Sequence, residues 1–171
     1  MKLRKILSFI QEIGTIMYVG GILSHIVIGI IFQGSEPSTI FDVYVYKERS
    51  ADILILPGLA IKIIADLILY FTYKEKPNWL KLKILMMAIL AVNAFVFLVP
   101  MMPELVQLAE DSIPFGELSQ EFLDKEHTEQ LVGQTNIIPL LLELVLGSFK
   151  PKLWKEKNDR LIQLKKQEKN E

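Results

Sequence analysis

Cysteine is absent from the 171 residues. That excludes disulfides, thiolate metal sites, iron–sulfur clusters and covalent haem attachment, and it leaves the redox compartment unreadable. Histidine is almost missing too, with only His25 and His127 in the chain. No Gly-rich phosphate loop occurs, since Gly20-Gly21 falls inside an apolar run where glycines favour close packing. No Ser–His–acid arrangement and no paired-His metal motif appears either. Positive charge is nearly missing from 104–130, where Lys125 stands alone among Glu104, Glu110, Asp111, Glu117, Glu121, Asp124, Glu126 and Glu129.

What is present is apolar length. Hydrophobic residues make up 51% of the chain. They gather into runs at 9–32, 53–73, 84–102 and 131–149, each near the ~17–25 residues with which a helix crosses a bilayer. Backbone groups in hydrocarbon must pair within their own segment, so each run is expected to be helical. The fold class is then all-α, an integral membrane four-helix bundle forming a single domain over 1–171. The first run follows Lys2, Arg4 and Lys5. It is too long for a signal-peptide core, and no small-residue cleavage site follows, so it reads as a retained helix.

Charge sets the orientation. Basic residues crowd the N-terminal tail, the second loop (Lys74, Lys76, Lys81 and Lys83) and the tail 150–171. Because Lys and Arg near span ends resist translocation, both termini and the second loop are expected in the cytoplasm. This places the chain in a plasma (inner) membrane with the first loop and a long acidic third loop outside. The tail after Pro151 reads as a charged cytoplasmic helix along the membrane surface, held by its lysines and Trp154. In the first loop, Phe41 to Tyr46 is β-branched and aromatic, which suits an interfacial stretch with Tyr44 and Tyr46 at headgroup depth, or a short strand. Span two is expected to open at Pro57-Gly58, and span three to close at Pro100 and Pro103. Ser119 predicts an early start for the fourth helix, and Pro139 a kink within it.

Ionisable groups at membrane depth are costly and turn toward the bundle interior. They are His25, Lys62, Asp66 and Glu143, with the amides Asn93 and Asn136. Counting ~1.5 Å per residue puts His25, Lys62, Asp66, Asn93 and Glu143 near one level. Lys62 and Asp66 share a helix face at i, i+4 and can pair. With Glu143 the trio is one positive charge short, so a proton on a carboxylate or on His25 is expected. Gly14, Tyr18, Gly21, His25 and Gly29 form one face of span one, where small residues admit a neighbouring backbone. Gln11, Glu12, Lys81 and Lys83 read as interfacial, the lysines snorkelling beside Trp79. The cluster serves either as a polar clasp that fixes helix register or as a proton or ligand site.

Three stretches carry a family likeness: Ile13 to Ile22, Pro57-Gly58-Leu59, and Trp79-Leu80-Lys81-Leu82-Lys83, with Lys150-Pro151 closing span four. They resemble a broad group of small four-helix membrane proteins. The group includes the copper-resistance D family and the haem-binding membrane protoporphyrinogen oxidase. The resemblance implies the four-helix architecture. In its haem-binding members a His precedes the glycine matching Gly14 by three residues, and a Lys follows the Trp-Leu pair. Here those positions are Gln11 and Lys83, so the resemblance implies at most a haem b contact at Lys83, with His25 lying too far along span one to replace the missing ligand.

The expected function is that of a non-enzymatic integral membrane protein, a small subunit or partner in a membrane assembly or a homo-oligomer. The alternatives are a haem- or quinone-linked redox protein and an oligomeric proton-coupled transporter. Nucleic acid is not an expected partner, because the basic residues sit where anionic lipids attract them.

Overall fold

The computed structural model describes residues 2–73 and 76–151, with side chains from residue 5 onward. The expected C-terminal surface helix therefore lies outside the described residues. Those that are described form α1 (Lys2–Ile31), α2 (Pro37–Ser50), α3 (Leu56–Thr72), α4 (Asn78–Val92), α5 (Val99–Ser112), α6 (Gln120–Thr135) and α7 (Ile137–Phe149).

Pro57, Pro100 and Pro103, expected to mark span ends, each lie within a continuous helical run. A proline inside an α-helix lacks an N–H and crowds the carbonyl four residues back. For Pro57 and Pro100 those carbonyls belong to Ile53 and Val96. Each lies in a π-helical segment, Ala51–Ile55 and Asn93–Leu98, directly before the helix that carries the proline. The wider turn absorbs the clash and re-pairs the freed groups, as hydrocarbon demands. Helix α2 therefore runs unbroken into α3, and α4 into α5. Four long rods result: Lys5–Ile31, Pro37–Thr72, Asn78–Phe115 and Gln120–Phe149, all long and apolar enough to cross a membrane. The second and third, 36 and 38 residues long, reach about 54–57 Å at ~1.5 Å per residue, well beyond the ~30 Å of bilayer hydrocarbon.

The rods correct four expectations. The helix that carries the second apolar run begins at Pro37 and not near residue 53. The helix that carries the third passes Pro103 and reaches Phe115, where Gly116, at φ +73, lets the chain reverse. The acidic stretch 104–130 is mostly helix and not loop. Residues 41–46 are neither strand nor interfacial coil but the middle of α2, and Tyr44 is buried there. The fourth rod does start early, with Ser119 Oγ accepting from the Phe122 amide. It is interrupted at Asn136, between α6 and α7, three residues before Pro139.

Packing follows the small residues. Helix α1 lies mainly against α3, α7 against α4, and α2 against α5. At the α1–α3 crossing the backbones touch: a Cβ on Gly58 would stand 2.7 Å from the Tyr18 amide nitrogen, and one on Gly14 2.8 Å from the Gly58 carbonyl oxygen. Along the length between the polar layers, Tyr18, Leu59, Leu90 and Ala94 pack together. Nearer the termini Leu69, Trp79, Leu80 and Leu146 form a second cluster. At the far end Ile40, Tyr44, Met102, Leu105, Ala109 and Phe122 form a third, with the Tyr44 and Phe122 rings edge to face.

Candidate functional site

The buried stripe of α4 recurs at helical spacing through Trp79, Leu80, Lys83, Met87 and Leu90. It passes through a lysine. Facing it, α3 buries Gly58, Leu59, Lys62, Ala65, Asp66 and Leu69, and α7 buries Glu143 and Leu146. The four charged groups on these stripes are each 0–1% exposed, and they meet in a chain of alternating sign. Thr15 Oγ1 of α1 accepts from Lys62 Nζ at 3.0 Å. Lys62 Nζ donates to Glu143 Oε2 at 2.5 Å. Glu143 Oε1 lies 3.3 Å from Lys83 Nζ, which donates to Asp66 Oδ1 at 2.7 Å. All four membrane-length rods contribute.

Three expectations change here. Lys62 and Asp66 do share a face, but each pairs with another helix and not with the other. Lys83 does not snorkel to the interface. It is 1% exposed and supplies the missing positive charge, so the set is two ammoniums against two carboxylates. The balance removes the reason to place an extra proton on a carboxylate or on His25. Charges buried this way cost several kcal/mol each to desolvate, which only close, hydrogen-bonded partners offset. Asp66 Oδ2 and Glu143 Oε1 nevertheless have no hydrogen bond among the described residues.

His25 and Asn93 stand apart from the quartet. Along α1, His25 lies ten residues from Thr15, about 15 Å. Its Nε2 is 2.6 Å from Ser50 Oγ, and that hydroxyl donates to the Lys47 carbonyl oxygen. The imidazole, the hydroxyl and that carbonyl form one short polar cluster. Beyond it Lys47 Nζ donates to Glu129 Oε2 at 3.3 Å, and the Tyr44 hydroxyl to Glu126 Oε1 at 3.1 Å. Asn93 Nδ2 donates to Asn136 Oδ1 at 2.7 Å, joining the π-helical segment of the third rod to the break in the fourth. The small face of α1 does meet the second rod, through Gly14, Gly21 and Gly29.

Lys47, Ser50 and Glu129 were not singled out in the sequence, nor was Thr15. Lys47 had no visible signal, since an outer loop would leave it in water. Lys83 had one: it sits at i+4 from Trp79 and i−4 from Met87, inside an apolar stripe.

Of the two residues considered for a haem, Lys83 pairs with two carboxylates beside a cavity of about 60 Å³, and His25 lies in a different layer. Among the described residues no group of three or more His, Cys, Asp or Glu side chains could hold a metal ion.

Fold and site together define a class: an all-helical protein with four rods long and apolar enough to cross a membrane, pinned through their interior by a self-neutralising chain of charges. No protein-family model, no curated protein and no solved structure matches the chain.

Proposed function

We propose that the chain is a non-enzymatic integral membrane protein of a plasma (inner) membrane, with both termini cytoplasmic, acting as a small subunit or partner in a membrane assembly. One observation carries this reading: the buried charged groups pair with one another across the rods. Thr15, Lys62, Glu143, Lys83 and Asp66 draw in every rod and balance in charge. Such a set fixes which helices are neighbours and in what register. The charge distribution of the tails and loops supports the orientation. The rods that overshoot the bilayer offer a polar outer surface, with Asp42, Glu104, Glu110, Asp111, Glu117, Glu121 and Asp124 exposed, on which a partner can be recognised.

Purification in mild detergent followed by native mass spectrometry tests the reading. The expected result is a colourless protein that carries companion subunits or further copies of itself. A lone chain with a Soret band, or with bound quinone, would overturn it in favour of a redox protein. The proton-coupled alternative has one observation in its favour, the two buried carboxylate oxygens that lack a hydrogen bond. It requires Glu143→Gln to abolish a proton-driven flux in vesicles.

A further inference from the structure

Where the two termini emerge, a cavity of about 60 Å³ opens between α1, α3, α4 and α7. Its polar lining is Ser8, Gln11, Tyr73, Trp79, Lys83 and Lys150, and none of the lining side chains is a carboxylate. Apart from Tyr73, these groups offer hydrogen-bond donors: a serine hydroxyl, an amide, an indole N–H and two ammoniums. The set is complementary to an oxyanion. At roughly 10–15 Å³ for each water-sized atom, the space takes about four to six of them, which suits a phosphate group.

Two features show the cavity is shaped around its cations. Lys150 is the one non-glycine residue with positive φ among the described residues, at φ 47 and ψ 53. That left-handed conformation is uncommon for a residue with a Cβ. It caps α7 while the Lys150 Nζ lies 5.9 Å from the centre of the Trp79 ring. Gly147 leaves room beside the other cation: a Cβ there would lie 3.4 Å from Lys83 Cε and 3.5 Å from its Nζ. Among the described residues the Lys83 ammonium meets two carboxylates, and an ammonium has three N–H donors.

The surroundings identify the source of the anion. Phe71 and Phe149, 76% and 78% exposed, lie within two residues of the lining residues Tyr73 and Lys150. In the membrane proposed above, rings exposed at that level would face acyl chains and glycerol. We propose that the cavity binds the phosphate group of an anionic lipid. Its oxygens are held by Lys150, Lys83 and the indole of Trp79, and its chains lie on the exposed aromatic rings. Basic pockets between helices at the membrane face hold lipid headgroups by this chemistry. A choline headgroup is disfavoured because it would set a third cation beside the two lysines.

The test uses the full chain, delipidated in detergent, with lipid binding read by native mass spectrometry and thermal stability. Phosphatidylglycerol, phosphatidylcholine and inorganic phosphate are added separately. Phosphatidylglycerol is expected to bind and stabilise most. Lys150→Gln is expected to weaken it about fivefold, the effect of one surface cation, and Gly147→Ala to weaken it by narrowing the cavity beside Lys83. Both should fold, since Lys150 is exposed and the added methyl makes ordinary contacts. Lys81→Gln, exposed at the same end but outside the cavity, should leave binding unchanged. Equal binding of the two lipids, or an equal loss from Lys81→Gln, would overturn the site as mere surface charge. Inorganic phosphate binding as well as the lipid would overturn the lipid assignment.

Discussion

The two ends of the bundle are built on opposite rules. In the half nearer the termini the interior is charged and the outside apolar: Lys62, Asp66, Lys83 and Glu143 are buried, while Ile16, Ile64, Phe71, Leu85 and Leu141 are exposed. In the far half the outside is polar and encloses an apolar cluster, with the buried Lys47 beside it paired to Glu129. Ile40, Met102, Leu105, Ala109 and Phe122 are buried there, and Glu104, Glu110, Asp111, Glu121 and Asp124 are exposed. The same continuous rods serve both halves. A bilayer around the half nearer the termini and water around the other would account for the difference. Lipid gains nothing from burying apolar surface, so helices there are held by polar pairs and close backbone contact. Water rewards the burial of Phe122 and Leu105 by roughly 1.5–3 kcal/mol each.

Substitutions should break the two halves by different routes. Glu143→Gln removes the carboxylate shared by Lys62 and Lys83 and leaves two buried ammoniums facing Asp66 alone. A loss of about 3–5 kcal/mol is expected, seen as a large fall in the thermal midpoint in detergent. Phe122→Ala should cost about 3–5 kcal/mol by cavity formation. Its loss should be confined to the outer half, so hydrogen exchange should quicken in α2, α5 and α6 but not around Lys62. Gly58→Ala forces α1 and α3 apart, because the new methyl meets backbone at 2.7 Å and 2.9 Å. About 1–3 kcal/mol is expected, with crosslinking between engineered cysteines on the two helices reporting the separation. The smallest effect belongs to the exposed pair of Lys125 and Glu104, where Lys125→Ala should change stability by less than about 1 kcal/mol.

The sequence carried the rods better than their ends. Four apolar runs of bilayer length announce four helices, and the Ser119 cap is where the capping rule places it. Pro57 and Pro100 misled because a proline says that a ladder bond is missing, not how the chain recovers it. Here π-helical turns recover it, and no residue pattern announces them. Tyr44 misled in turn. An interfacial stretch or short strand at 41–46 gives no reason for Tyr44 to be buried against Phe122, or for the neighbouring Lys47 to meet Glu129.

The site was legible residue by residue but not pair by pair. The rarity of charge at membrane depth singles out Lys62, Asp66 and Glu143, and all three are in the quartet. Their partners depend on which helices are neighbours and how each is rotated. The i, i+4 spacing of Lys62 and Asp66 suggests a pair, yet a single helix face can present both groups to two different neighbours. Lys83 was lost because it lies about 7 Å from the start of α4, where a lysine can equally well reach water. Its place in the buried stripe of α4 outweighs that depth.

The account rests on Lys83 and Asp66 being true partners inside the bundle, and a double-mutant cycle in detergent or bicelles tests that most directly. Lys83→Met or Asp66→Leu alone should each cost a few kcal/mol, because each strands a buried charge. Together they leave Lys62 and Glu143 in balance, and the double variant should recover most of the stability. Losses that simply add, with no coupling between the two positions, would contradict it.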